Sequence, residues 1–380
     1  MTAPSEIKME GHADAIETTQ RNPMSYRVLI LGASYGSLPA TRLLMAGHCI
    51  TLVCTQPTAE LINREGTVVR FPVKGLKGLL PVASTELPGD CDACTPGEAD
   101  PTCYDLVVLG MQEAHYGERA VRELMRRIAR SRKPCLAIMN MPPLPYLRRV
   151  PSLAHADLRH CYAEPAVWDG FEPGLMSLAS PDPQAFRPQG EPKNILEVGL
   201  PTNFKAAPFE SEAYTALLRE LEADIERARL PGKPELELPV KLKVHDSLFV
   251  PMAKWPMLIA GNYRCIRPQE IIPIRDAVHG ELNRSREIYD WVADLCMSLG
   301  ANRRDLVPFE KYAKAAEGLA KPSSAARALF GGALHIERVD SLVHTIAAGL
   351  GKTSAALREI VQLVDARLKE NRHAVARLAA

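Results

Sequence analysis

Long apolar runs are missing from this 380-residue chain. No segment approaches the roughly 18 consecutive apolar residues that a membrane-spanning helix needs. Charge of one sign is missing too. The 46 Lys and Arg residues and 45 Asp and Glu residues leave a net charge of +1. A protein that holds nucleic acid or a membrane surface through its field needs an excess of positive charge, so neither partner is expected. Residues 1–24 are polar and partly acidic and lack the basic-then-apolar order of a signal peptide. They read as a flexible tail on a cytoplasmic protein. The nine cysteines then read as reduced thiols. No segment recurs at a fixed period, which excludes a solenoid. No G-x-S-x-G elbow occurs, which removes the support for a hydrolase.

What is present is an alternation of strand and helix. Val28–Leu31 reads as a strand, Gly36–Ala46 as a helix and Ile50–Cys54 as a second strand. "DLVVLGM" (Asp105–Met111), the amphipathic "GERAVRELMRRIARS" and "PCLAIMNM" continue the pattern. Such alternation indicates βαβ units and a parallel sheet. Two stretches interrupt it. Residues 88–103 carry Pro, Gly and Asp and read as a surface loop, and residues 180–194 as a Pro-rich connection. Past "PGKPELELPVK" almost everything has helical period, ending in a long amphipathic helix from Lys352. The expected architecture is α/β: a Rossmann-type parallel sheet over 25–235, then an all-helical domain over 245–380 that also serves substrate binding and dimerisation.

The stretch "LGASYGS" carries the first chemistry. In a dinucleotide fold one glycine makes the tight turn out of the strand. A second small residue lets backbone approach the pyrophosphate, and a third lets the helix pack on the strand. Gly32 fits the first role and Ser34 the second. Gly36 fits the third in a shortened loop; otherwise Ser37 fills it. The helix N-terminus presents N–H groups and a positive dipole end to phosphate. The turn Gly32, Ala33, Ser34, Tyr35, Gly36 and Ser37 is therefore the candidate pyrophosphate site. An acidic residue after the second strand would select NAD and an arginine NADP. This chain has Cys54, Thr55 and Gln56 there, with Arg64 and Arg70 further on, so NAD and NADP both stay open.

Other residues have chemistry compatible with carbonyl reduction, each with a plainer alternative. A lysine ammonium stabilises the alkoxide formed in ketone reduction and protonates it. Lys254 lies in the apolar "PMAKWPMLIAGN", where burial would lower its pKa; a snorkelling surface lysine is the plainer alternative. Asn262, two helical turns on, shares a side with Lys254 if the helix is regular. Asn140 follows a buried strand, at the edge where such sheets bind ligands. Glu337 either holds a ribose hydroxyl, positions Lys254 or forms a solvated pair with Arg338. Ser323 and Ser324 follow Pro322, where a helix N-cap needs no substrate. Cys91, Cys94 and Cys103 would need a fourth ligand for zinc, such as His115. Free thiols are the preferred reading, and no metal is expected.

In order and spacing these segments resemble the ketopantoate reductase family (2-dehydropantoate 2-reductase). "LGASYGSLPATRLLMAGHCITLVC" is similar to the family's opening, including the "AGH" between helix and second strand. "DLVVLGMQ" resembles the strand ending in a lysine beside the cofactor, with Gln112 at that position. "CLAIMNM" resembles the strand ending in Asn-Gly, with Asn140 matching and Met141 replacing the glycine. "MAKWPMLIAGNYRCI" resembles the helix of the catalytic lysine, with Lys254 and Asn262 matching and Leu258 in place of a second asparagine. "KPSSAARALFGGALHIERVDSLV" resembles the segment with a substrate-binding serine, here Ser323 or Ser324, and a glutamate, here Glu337. The resemblance runs from Arg27 to about Gly351.

The resemblance implies an NAD(P)-dependent oxidoreductase reducing a 2-oxo acid or related ketone, a small-molecule carbonyl substrate, and a homodimer through the helical domain. Lys254, Asn140 and Glu337 would be catalytic. Asn262, Ser323 and Ser324 would bind substrate. Thr55, Gln112, Asn140 and Glu337 would join the glycine turn at the cofactor. Leu258, Met141 and Gln112 depart from the family pattern and point to a substrate other than ketopantoate. The rival readings are an opine-type or hydroxy-acid dehydrogenase and a non-catalytic dinucleotide-binding sensor.

Overall fold

The computed structural model describes residues 25–379; the segment read as a tail, 1–24, lies outside the described residues. Strands β1 (Arg27–Leu31) and β2 (Cys49–Val53) pair in parallel across helix α1 (Ser37–Met45). The "AGH" sequence ends that helix. Gly47 takes φ +87°, its N–H returns to the Leu44 carbonyl and that of His48 to the Leu43 carbonyl. This is a Schellman closure, which favours glycine at the left-handed position.

Helix α2 (Gln56–Glu65) follows β2. Strands β3 (Val68–Pro72) and β4 (Leu79–Ala83) then form an antiparallel hairpin outside the main sheet. The main sheet resumes with β5 (Cys91–Cys94), β6 (Leu106–Leu109), helix α3 (Arg119–Ser131), β7 (Cys135–Ile138) and β8 (Met176–Ser180). Strands β9 (Gln184–Phe186) and β10 (Ile195–Leu200) join the hairpin to make a second sheet in the order β4-β3-β10-β9. Strands β11 (Phe204–Ala206) and β12 (Leu242–Val244) complete the main sheet. Its order is β12-β11-β8-β7-β6-β1-β2-β5, parallel throughout except between β8 and β11. From β5 to β8 this is the dinucleotide-binding order 3-2-1-4-5-6.

The main strands are buried on both faces, so their residues alternate between two cores rather than between core and water. Val28, Ile30, Val108 and Leu136 pack with α1, the helix Glu212–Arg227 and the second sheet. Leu29, Leu31, Val107 and Leu109 belong to a core that continues through α3 into Ile259, Leu295 and Val343 of the helical half. That half runs from Pro251 and includes the helices Leu282–Leu299, Val339–Gly349 and Ala355–Ala379.

Two sequence expectations are corrected here. Residues 88–103 are not simply a loop, because they hold β5, paired with β2 from Ile50↔Cys91 to Val53↔Cys94. An edge strand of four residues has little apolar sequence to announce it. Its outer side is closed by Asn63 of α2, whose amide nitrogen donates to the Ala93 carbonyl at 2.8 Å and whose oxygen accepts from the Ala93 N–H at 2.7 Å. The connection 180–194 likewise holds β9, whose order comes from antiparallel pairing with β10. The second sheet itself was not legible as a separate unit.

Candidate active site

The glycine turn leaves β1 at the carboxyl edge of the sheet, between β1 and β6, where the strand order reverses and ligands bind in such folds. Gly32 has φ +100°, and a Cβ there would meet Met111 Cγ at 2.7 Å. A Cβ on Gly36 would lie 2.1 Å from the Gly32 carbonyl oxygen. Gly36 therefore supplies the close approach that the sequence left open between it and Ser37. Ser37 instead begins α1 and donates its hydroxyl to the Ala33 carbonyl at 2.5 Å. Ala33 is buried and Ser34 half-buried; the Ser34 carbonyl accepts from the Ser37 N–H. Tyr35 turns its ring edge-on to Phe204 and donates its hydroxyl to the Pro183 carbonyl at 2.7 Å.

At the end of β2, Thr55 is exposed at the N-cap position of α2, its hydroxyl 3.1 Å from that of Thr58. The two arginines singled out in the sequence are engaged elsewhere. Arg64 pairs with Glu65 at 2.7 Å, and Arg70 is held by Glu191 and Glu197 on the second sheet. The residue missed is Arg187, just past β9. It is exposed, and its charge acts on Cys54, whose thiol burial pushes up to about 11. It lies far from Cys54 along the chain, so no local motif announced it.

Lys254 ends a 3₁₀ turn, Pro251–Lys254. One α-helical turn, Trp255–Met257, and a wide π-helical turn, Leu258–Asn262, follow. The regular helix expected from Lys254 to Asn262 is therefore replaced by three helical types, Pro256 having no N–H to continue a ladder. The Lys254 ammonium donates to the Pro181 carbonyl at 2.6 Å and stands 3.6 Å from Asp182 Oδ1. Burial lowers its pKa, while Asp182 and Glu337 pull it back up.

Asn140, just past β7, donates its amide to Glu337 Oε2 at 3.0 Å. Glu337 comes from the helical half and is buried. Burial raises its pKa, opposed by Asn140, by the backbone N–H groups of Glu113 and Met141 and by the charge of Lys254. Asn140 Oδ1 and Glu337 Oε1 are both buried without a hydrogen-bond partner. Arg338 turns away to Asp340 and Asp365, at 3.0 and 2.7 Å, so Glu337 and Arg338 are not a solvated pair. Beside Glu337 lies Glu113, which the sequence reading passed over. It is 2% exposed, accepts from the Ala163 N–H at 3.2 Å, and is pushed up to about 7 by burial and by the charge of Glu337.

The remaining candidates make their hydrogen bonds with other partners. Ser323 caps the helix Ser324–Phe330, accepting from the Ala326 N–H at 3.1 Å, and donates to the Asn262 carbonyl at 2.7 Å. Its hydroxyl thus joins two elements. Ser324 is exposed and the Asn262 side chain half-buried. Gln112 is exposed ahead of the 3₁₀ turn Glu113–Gly117. Cys91 and Cys94 are on β5, while Cys103 is exposed and bonded to Asp100. Among the described residues no group of three metal-ligating side chains converges.

The turn fits the pyrophosphate of a dinucleotide. The turn at Gly32 and Gly36 has no room for side chains against the sheet, and α1 has no acidic residue in its first turn to compete with phosphate. Asn140 and Glu337 bring buried oxygens together beyond β7, at the same carboxyl edge of the sheet.

No family model matches the sequence, and no curated protein does. Solved structures do. A ketopantoate reductase from Ralstonia eutropha is similar over 91% of this chain and 100% of its own, with TM-score 0.59 and 17% identity. The chain has the ketopantoate reductase fold. A ketopantoate reductase from Staphylococcus aureus, described as dimeric, is similar over 91% of this chain and 99% of its own, with TM-score 0.58 and 10% identity. A D-mandelate dehydrogenase solved with NADH and anilino(oxo)acetate gives 91% and 99%, with TM-score 0.60 and 11% identity. Neighbours with this fold are oxidoreductases. No described helix is long and apolar enough to cross a membrane.

Proposed function

We propose that the chain is a divergent member of the ketopantoate reductase family, an NAD(P)-dependent reductase of a 2-oxo acid or related ketone. The observation that carries this reading is the bond from Asn140, at the sheet's carboxyl edge, to buried Glu337 of the helical half, whose charge acts on Lys254. A nicotinamide dinucleotide held at the glycine turn would supply the hydride. Lys254 leaves the Pro181 carbonyl, stabilises the developing alkoxide and gives it a proton. Asn140 orients substrate and cofactor, and Glu337, bonded to Asn140, organises the cofactor ribose or the lysine. Leu258 and Met141 are both buried in the apolar core, so neither position offers the polar side chain or the open space that an asparagine and a glycine would. This favours a substrate less polar than ketopantoate.

The test is a reduced-cofactor depletion assay over a panel of 2-oxo acids and ketones with both nicotinamide cofactors. On the substrate found, Lys254→Met should lower kcat by roughly 10²–10⁴ with little change in cofactor affinity. Near-normal turnover in that variant would sink the mechanism. Turnover of aryl 2-hydroxy acids in the reverse direction would favour the second reading, a hydroxy-acid dehydrogenase, which the mandelate dehydrogenase neighbour supports. Cofactor binding with no turnover of any substrate would mark a sensor.

Arg187 supports a preference for NADP. A guanidinium whose charge reaches Cys54, just past β2, suits the place where a ribose 2′-phosphate is read. Charge-assisted hydrogen bonds of about 1.5–3 kcal/mol predict that Arg187→Ala weakens NADPH binding about 10- to 100-fold and leaves NADH unchanged. Equal loss for both cofactors would remove the assignment. We also propose a homodimer through the helical half, in line with the dimeric neighbour, to be checked by analytical ultracentrifugation.

A further inference from the structure

The segment Pro181-Asp182-Pro183 leaves β8 at the same carboxyl edge as Asn140 and lies between the glycine turn and Lys254. Tyr35 of the turn donates to the Pro183 carbonyl, and Lys254 donates to the Pro181 carbonyl. Proline on both sides restricts the backbone and offers no N–H at 181 or 183 to satisfy the carboxylate of Asp182. That carboxylate takes two ammonium groups instead. Lys254 Nζ is 3.6 Å away and Lys205 Nζ 3.0 Å. Lys205 is delivered by sheet register, being paired across β11 and β8 with Ser180. None of the three side chains is freely solvated: Lys254 is 20% exposed, Asp182 17% and Lys205 35%.

We propose that Asp182 is a positioning residue for Lys254: its carboxylate, fixed between two prolines and shared with Lys205, sets where the ammonium rests and keeps it charged. This rests on the reading of Lys254 as the proton donor. The charged groups facing Lys254 are Asp182, Glu337 and Lys205. Burial lowers the pKa of Lys254, both carboxylates raise it, and Lys205 lowers it further. Asp182 answers in kind. Burial raises its pKa, and the two lysines bring it below the ordinary carboxylate range. Without Asp182, two ammonium groups would share a cleft with no charge between them. Lys254, the less exposed, would lose its proton first. Without Lys205, Asp182 would serve Lys254 alone. The two removals must therefore move Lys254 in opposite directions, which a merely structural role would not do.

The experiment reads the amine directly. The rate of acylation of Lys254 by an amine-reactive ester, followed by mass spectrometry against pH, gives the midpoint at which the free amine appears. It is measured in the full chain and in the Asp182→Asn and Lys205→Met variants. The midpoint should fall by about one pH unit or more in Asp182→Asn, the usual effect of losing a close opposite charge, and rise in Lys205→Met. The limb of kcat/KM that reports the acid should move the same way in each. An unmoved midpoint in Asp182→Asn, or shifts of the same sign in both variants, would overturn the proposal. If Asp182→Asn does not fold, an unmoved or lowered midpoint in Lys205→Met overturns it alone. Opposed shifts in a protein that reduces no carbonyl substrate would leave the coupling standing and remove the proposed reaction. Lys254-dependent turnover with unmoved midpoints would do the reverse.

Discussion

Glu113 is the residue with the clearest consequence for stability. Its carboxyl is held near 7 in the fold, against 4.5 when unperturbed. A carboxyl raised on folding stabilises fully below its unfolded pKa and loses that contribution as pH rises through the folded value. At 1.36 kcal/mol per unit the loss amounts to about 3 kcal/mol across this window. Glu113→Gln should therefore flatten the fall in unfolding free energy between about pH 4.5 and 7, measured by urea denaturation. An unchanged slope would show that Glu113 is solvated. Lys254 was legible in the sequence because a lone lysine in an apolar run is an anomaly that asks for a reason. Asn140 was legible as the polar residue ending a buried strand. Glu113, Asp182 and Arg187 were not, because an acid after a strand, an acid between prolines and an arginine in a polar connection are ordinary at those places. Only the fold brings Glu113 beside Glu337, Asp182 beside Lys254 and the charge of Arg187 within reach of Cys54.

At the scale of elements, the glycine turn makes the sharpest demand. A Cβ at position 36 would lie 2.1 Å from a backbone oxygen rather than from a movable side chain. Even Gly36→Ala must displace the turn from α1. It should weaken dinucleotide binding at least about tenfold, with circular dichroism showing the helices retained. Undiminished affinity in the folded variant would place the pyrophosphate elsewhere. The strand-turn-helix pattern here was plain in the sequence, since an apolar run, small residues and a helical period follow one another. The Lys254 segment was read as helical but not as a 3₁₀, α and π succession. Periodicity over so few residues does not separate these forms. Strands β5 and β9 escaped because their order comes from register with neighbours rather than from their own residues.

For the whole molecule, the parallel sheet followed by helices was the legible part, because the switch from strand alternation to helical period is sustained over many residues. The second sheet was not, since β3, β4, β9 and β10 come from two distant stretches. The shared core makes a prediction. Leu29 and Val107 of the sheet lie in one apolar cluster with Ile259 and Val343 of the helical half. The full chain should then unfold in a single calorimetric transition. A fragment ending at residue 245 would lose the helical side of this cluster, and we expect it to be insoluble or without a cooperative transition. Two resolved transitions in the full chain would mean that the halves fold separately.

The amide of Asn63 has a bearing on how copies of this protein meet. By occupying both polar groups of Ala93, it supplies one residue's worth of the pairing that a neighbouring strand would bring. An unpaired strand edge is a template for another chain. Here the template is blocked at its middle by a side chain anchored in a helix. Growth of the sheet from one molecule into the next is thereby denied on this side, and self-association is left to side-chain surfaces, where it can be specific and can stop at a defined number.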